Sequence, residues 1–155
     1  IAEKIAEQVG KIGEKIDITD YALLSAETVV AYNHSNGKVG VLVAMNKKGE
    51  AVETVGKDVT MQIAAMSPIA IDKNDVPEEV KTREMEIGRE QARAEGKPEA
   101  ILEKIATGKL EAYFKDATLL NQKFVKDNSK SIRDVLTAVD KDLTVTAFKR
   151  IGLGA

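Results

Sequence analysis

Apolar residues recur along the chain at two periods, and the switches between those periods mark the elements. Ile1, Ile5, Val9, Ile12 and Ile16 fall at spacings of four, four, three and four. They form one stripe of a helix, with Glu3, Glu7, Lys11 and Lys15 off it. Gly13 interrupts the stripe and is the expected terminator. Partial alternation over residues 16–24 predicts a strand. The β-rich run Thr28-Val29-Val30-Ala31-Tyr32 leads to Asn36-Gly37, the pair preferred in a type I′ turn. The chain then returns as Lys38-Val39-Gly40-Val41-Leu42-Val43-Ala44-Met45, and the two runs predict a β-hairpin. The returning strand is apolar on both faces, so it is expected to be central and buried. Val52, Val55, Val59, Ile63 and Met66 resume helical spacing until Ser67-Pro68. Residues 69–71 are short and apolar, as in an edge strand.

The middle of the chain changes character. Asp75 precedes Val76-Pro77-Glu78-Glu79 and reads as an N-cap, with proline and acidic residues in the first turn. The helix predicted over 76–95 is densely charged, and Val80, Ile87 and Ala94 are its thin apolar stripe. Gly96-Lys97-Pro98 breaks the chain, and a second helix follows with Ile101, Leu102, Ile105, Leu110 and Tyr113. Two charged helices joined by a tight turn predict a protruding antiparallel hairpin, its narrow stripes suited to helix-on-helix packing. The Leu119–Val125 stretch re-enters the globule. Ser131 and Asp134 have the spacing of a capping box, with Asp in place of Glu. Ile132, Val135, Leu136 and Val139 give one face of a short helix, and Leu143, Val145 and Ala147 alternate in a final strand. This order predicts an α+β fold with an antiparallel sheet.

Composition narrows the chemistry. The 155 residues are 43% hydrophobic, enough for one domain or two small lobes sharing a core. Lys and Arg total 23 against 25 Asp and Glu, a net charge of −2, so the basic excess of a duplex-binding protein is absent. Three Phe, three Tyr and no Trp argue against a stacking platform for single strands. No Cys and one His exclude disulfides, zinc fingers, thiol nucleophiles and multi-histidine metal sites. No apolar run approaches the roughly 20 residues of a membrane span, and the start is no signal peptide, so a cytoplasmic location is expected. The chain opens with Ile1 inside a helix and reads as a fragment of a longer protein.

No catalytic residue, cofactor or metal ligand is assigned. His34 is the only imidazole, and Ser35 is too close in sequence to serve it as a nucleophile; a histidine bonding its own turn is the expected role. Gly152-Leu153-Gly154 leaves no room for the helix that a phosphate loop requires. Asp72, Asn74 and Asp75 lack the later ligands of a calcium loop and are expected to cap a helix. Gly40, inside a buried strand, marks either tight internal packing or a place where a partner comes close.

The run Tyr32-Asn33-His34-Ser35-Asn36-Gly37-Lys38-Val39-Gly40-Val41-Leu42-Val43 resembles the core hairpin of the bacterial elongation factor Ts family. The resemblance continues in order through Gly13-Glu14-Lys15-Ile16-Asp17-Ile18 and Met61-Gln62-Ile63-Ala64-Ala65-Met66-Ser67-Pro68. It continues through Gly96-Lys97-Pro98-Glu99, the Leu119–Val125 stretch and Phe148-Lys149-Arg150-Ile151. It implies the family's core, or dimerisation, domain: two related lobes of antiparallel sheet layered with helices, with an inserted coiled-coil hairpin. On this chain the lobes would be residues 1–56 and residues 57–76 plus 121–155, with 77–120 as the insertion.

The resemblance implies a translation factor that binds the GTPase elongation factor Tu and promotes GDP release, in a bacterial or organellar cytoplasm, without covalent chemistry. Self-association is implied too, through the second lobe's sheet or helices. The family's Ile-Gly contact to the GTPase corresponds to Val39-Gly40, and a histidine contact of some members corresponds to Gln62. The family's Thr-Asp-Phe-Val motif and N-terminal helical module would lie upstream of Ile1. From another class, a structural domain that dimerises through its helical hairpin without a GTPase partner fits the same pattern. A hydrolase built on His34 is a third reading.

Overall fold

The computed structural model describes residues 1–35 and 37–153. Helix α1 (Ala2–Ile12) ends at Gly13, whose left-handed φ of 76° lets its N–H reach the Val9 carbonyl. No residue of α1 is fully buried; Ile5 and Val9 of its apolar stripe are half-buried, and Ile1 and Ile5 share an open apolar hollow with Ile16 and Ile18. The strand expected at 16–24 does not form. Residues 14–27 are irregular and mostly exposed, with only Ile16, Ala22 and Leu24 half-buried. Partial alternation gives a strand only when a neighbouring strand takes its backbone hydrogen bonds, and none lies there.

The hairpin forms as expected. Strands β1 (Thr28–Asn33) and β2 (Val39–Met45) pair antiparallel, Thr28 opposite Met45 and Asn33 opposite Gly40. The His34 N–H donates to the Val39 carbonyl and the Gly37 N–H to the His34 carbonyl, closing the turn. Asn36, which carries half of the expected turn signal, lies outside the described residues, as does Gly154. Val41, Val43 and Met45 face the core; Gly40, Leu42 and Ala44 alternate to the other face.

Helix α2 (Glu50–Met66) lies across the core face, burying Val52, Val55, Val59 and Ile63. At Gly56 the helix packs close against the sheet: a Cβ there would stand 2.7 Å from Val30 Cγ2 and 3.1 Å from Met45 Sδ. Ser67 adopts a left-handed φ of 47° and ends the helix before Pro68. Residues 69–71 form no edge strand. Ala70 makes one parallel bridge to Thr118, and the Ala70 and Ile71 carbonyls accept from the Leu119 and Leu120 N–H groups at 2.9 Å. A 3-10 turn (Lys73–Asp75) then bends the chain away before a ladder can extend.

That turn corrects the expected cap. Asp72 is its N-cap and Asp75 closes the reciprocal capping box, so Asp75 caps no α-helix. Helix α3 (Glu78–Ala94) starts after Pro77, and helix α4 (Glu99–Ala117) after Pro98. Gly96, at φ 73°, turns the chain between them. The two helices run antiparallel, with Arg89 beside Glu103, Arg93 beside Glu99 and Lys109 beside Gln91. Their seam also differs from the expected stripe. Gly88 and Ala92 are buried while Ala94 is exposed, so small residues bring the axes together.

After a second 3-10 turn (Leu119–Asn121), the short strands β3 (Lys123–Phe124) and β4 (Asp127–Ser131) form a hairpin. Helix α5 (Ile132–Val139) follows, with the Ser131–Asp134 capping box in place: the Ser131 N–H donates to Asp134 and the Asp134 N–H to the Ser131 hydroxyl. Strand β5 (Val145–Gly152) pairs antiparallel with the free side of β2, giving the sheet order β1-β2-β5. The fold is therefore α+β, with β2 central as expected. One core joins Val41, Val43, Val59 and Ile63 to Leu119, Ile132, Leu136 and Val145, so residues of both expected lobes share it. Among the described residues no helix is long and apolar enough to cross a membrane.

Candidate functional site

The hairpin end assembles most of the residues singled out in the sequence. Val39 pairs with Gly152 of β5, and Gly40 sits between Asn33 of β1 and Ile151 of β5. A Cβ placed on Gly40 would meet nothing within 4 Å. Tight packing within the chain is therefore not what this glycine serves, and the space over it is open. It borders a shallow, largely apolar groove of about 350 Å³ that Ala22, Ala31, Asn33, Leu42 and Ile151 help line. Val29, on the same face of β1, is 40% exposed. This face of the sheet is therefore both apolar and open.

His34 stands beside this surface. Its Nδ1 lies 2.9 Å from the Tyr32 hydroxyl, and its backbone N–H is spent on Val39. The ring is thus tied to its own hairpin, as a turn histidine should be. Among the described residues no group of three or more His, Asp or Glu side chains is arranged to hold a metal ion.

Gln62 lies elsewhere, fully buried on α2. Its Nε2 donates to Gln122 Oε1 at 3.1 Å and to the Lys123 carbonyl at 3.0 Å. Its Oε1 accepts from the Val125 N–H at 2.9 Å, while Gln122 Nε2 donates to the Asp116 carbonyl. The amide therefore stitches α2 to the start of β3, and Val39 and Gly40 are the expected contact residues that the hairpin end brings together.

A second polar cluster joins distant segments. Asp72 accepts from Asn121 Nδ2 at 2.7 Å, from the Lys73 N–H at 2.8 Å and from Arg133 at 2.6 Å. Burial works to raise the Asp72 carboxyl, but the Asn121, Lys73 and Arg133 contacts together hold it below the usual carboxylate range. On α3 and α4, hydrogen bonds from Arg93 and Arg89 hold Glu99 and Glu103 low in the same way. The Asp72 cluster and the Gln62–Gln122 pair join residues dozens of positions apart, and no local pattern announces them.

The family model described as "Elongation factor TS" matches residues 1–155, the whole chain. Among curated relatives, Elongation factor Ts of Cytophaga hutchinsonii is 59% identical over 154 residues, covering 99% of this chain and 55% of that protein. Elongation factor Ts of Amoebophilus asiaticus is 53% identical, covering 100% of this chain and 56% of the relative. That of Flavobacterium psychrophilum is 44% identical over 99% of this chain and 56% of the relative. The chain spans about half the length of the curated relatives it matches. With the family model matched over all 155 residues and relatives up to 59% identical over 99% of its length, the chain belongs to the elongation factor Ts family.

Proposed function

We propose that the chain acts in translation elongation as part of a guanine-nucleotide exchange factor, binding elongation factor Tu and promoting GDP release. The observation that carries this reading is the family match over all 155 residues. The work is done by contact: a protein that binds the nucleotide-free GTPase more tightly than the GDP-bound form shifts the equilibrium without covalent chemistry. Val39 and Gly40 are the contact residues, supported by the open space over Gly40 and the apolar groove beside it. Gln62 enters this reading through the segment 122–125 that it fixes; a direct contact would require its amide to give up its internal hydrogen bonds.

The chain is read as two lobes, 1–56 and 57–76 with 121–155, and 77–120 as an inserted helical hairpin. The mutual ion pairs of α3 and α4 support the last part. The factor works in the cytoplasm of a bacterium or in an organelle derived from one, has no nucleic-acid partner, and self-associates. Release of a fluorescent GDP analogue from elongation factor Tu tests the reading. The chain extended upstream accelerates release far more than residues 1–155 alone, and Gly40→Trp weakens binding to the nucleotide-free GTPase. An unaltered release rate with the extended chain refutes it.

A further inference from the structure

Two rows of side chains cross the sheet on the face turned away from the core. Ala31 of β1, Leu42 of β2 and Lys149 of β5 lie side by side in one, and Asn33, Gly40 and Ile151 make the next row toward the hairpin end. All six line the apolar groove over Gly40. Val41 and Phe148 alternate to the other face and pack in the core. Lys149 is the single charged side chain of the two rows, and it is exposed. Lys47, Lys48 and Lys126 each hold a carboxylate, whereas no carboxylate among the described residues pairs with Lys149.

In the free protein the Lys149 ammonium keeps its water, while its aliphatic stem adds to the apolar wall of the groove. An apolar surface laid over Gly40 and Leu42 strips water from that ammonium. A charge so stripped weakens the complex unless an opposite charge takes the place of the water. A polyanion would call for several cations on this face, and the neighbouring Arg150 alternates to the core side. One cation at the edge of an apolar groove suits one carboxylate set in an apolar surface. We propose that Lys149 pairs with an Asp or Glu of the protein that docks over Gly40, so that the groove selects an apolar segment bearing a single acidic residue. The proposal rests on the reading of this hairpin end as the partner-binding surface.

The test measures binding to nucleotide-free elongation factor Tu by calorimetry at low and high salt, with Lys149→Met, Lys149→Glu and Gly40→Trp carried by the chain in its full natural length. Lys149→Met keeps the apolar stem and removes the charge, and it is expected to weaken binding about fivefold and to flatten its salt dependence. Lys149→Glu sets like charges against each other and is expected to weaken binding at least about thirtyfold. Carbodiimide treatment of the wild-type complex, read by mass spectrometry, is expected to join Lys149 to an Asp or Glu of elongation factor Tu. Wild-type binding by Lys149→Met or Lys149→Glu, with Gly40→Trp impaired, overturns the proposal and leaves the docking surface standing; the lysine then only guards the edge of β5 against strand pairing. A complex that cross-links through other lysines but not through Lys149 overturns it as well. Absence of binding by the wild type, or wild-type binding by Gly40→Trp, removes the surface and the proposal with it.

Discussion

Gly88 and Ala106 meet at the seam of α3 and α4 so closely that a Cβ on Gly88 would stand 3.0 Å from the Ala106 Cα and 3.3 Å from its Cβ. The nearest atom belongs to the backbone, so relief requires the helices to part. Helix propensity favours alanine over glycine by up to about 1 kcal/mol, whereas overpacking costs about 1–3 kcal/mol. Gly88→Ala is expected to lower stability by about 1 kcal/mol in urea unfolding. A stabilised variant would show that the seam yields freely.

Gly56 and Gly40 make a sharper contrast. At Gly56 a Cβ collides with Val30 Cγ2 at 2.7 Å; at Gly40 it meets open space. Gly56→Ala should destabilise by about 1–3 kcal/mol, and Gly40→Ala should stay within about 0.5 kcal/mol of the parent. Paired chemical denaturation curves check both. Equal losses at the two sites would mean that Gly40 is not on an open face.

Gln62→Leu leaves Gln122 Oε1, the Lys123 carbonyl and the Val125 N–H without the partner they have now. Each buried group so orphaned costs about 1–3 kcal/mol, less where water reaches it. A total loss of about 2–4 kcal/mol is expected, with faster amide exchange at Val125 by NMR. Unchanged exchange there would rule out the Gln62 bond as its protection.

Asp72 predicts how stability responds to acid. Its folded carboxyl titrates below its unfolded value, so the stabilisation it supplies is fully present above about pH 4 and fades as pH falls through the lower, folded value. Arg133 is half-exposed, which keeps its share small. Asp72→Asn should lose about 1 kcal/mol at pH 7, and the gap from the parent should close as the pH drops below 4. A gap that persists at pH 2–3 would assign the loss to packing.

Local patterns foretold most of the elements. The β1–β2 hairpin, α2, the Ser131 capping box and the Gly96 break each rest on residues within a few positions of one another, and all are present. Errors arose where a local signal had two solutions. Asp72 and Asp75 both have cap chemistry, and a 3-10 turn uses them as one box. Residues 16–24 and 69–71 look extended, yet a strand needs a neighbour that the sequence does not name. The site divides in the same way. Gly40 stands out as glycine in an apolar run, whereas the burial of Gln62 depends on Gln122, sixty positions away.

The placement of β5 has a consequence for synthesis on the ribosome. β2 is complete at Met45, but the strand that covers its second edge begins only at Val145, one hundred residues later. At about 5–20 residues per second, the nascent hairpin waits about 5–20 s with that edge unpaired. Its apolar core face has α2 to shelter it in the meantime, but the backbone of β2 does not. This interval is when the growing chain is most open to pairing with a neighbour's strand, and it closes only when residues 145–152 emerge.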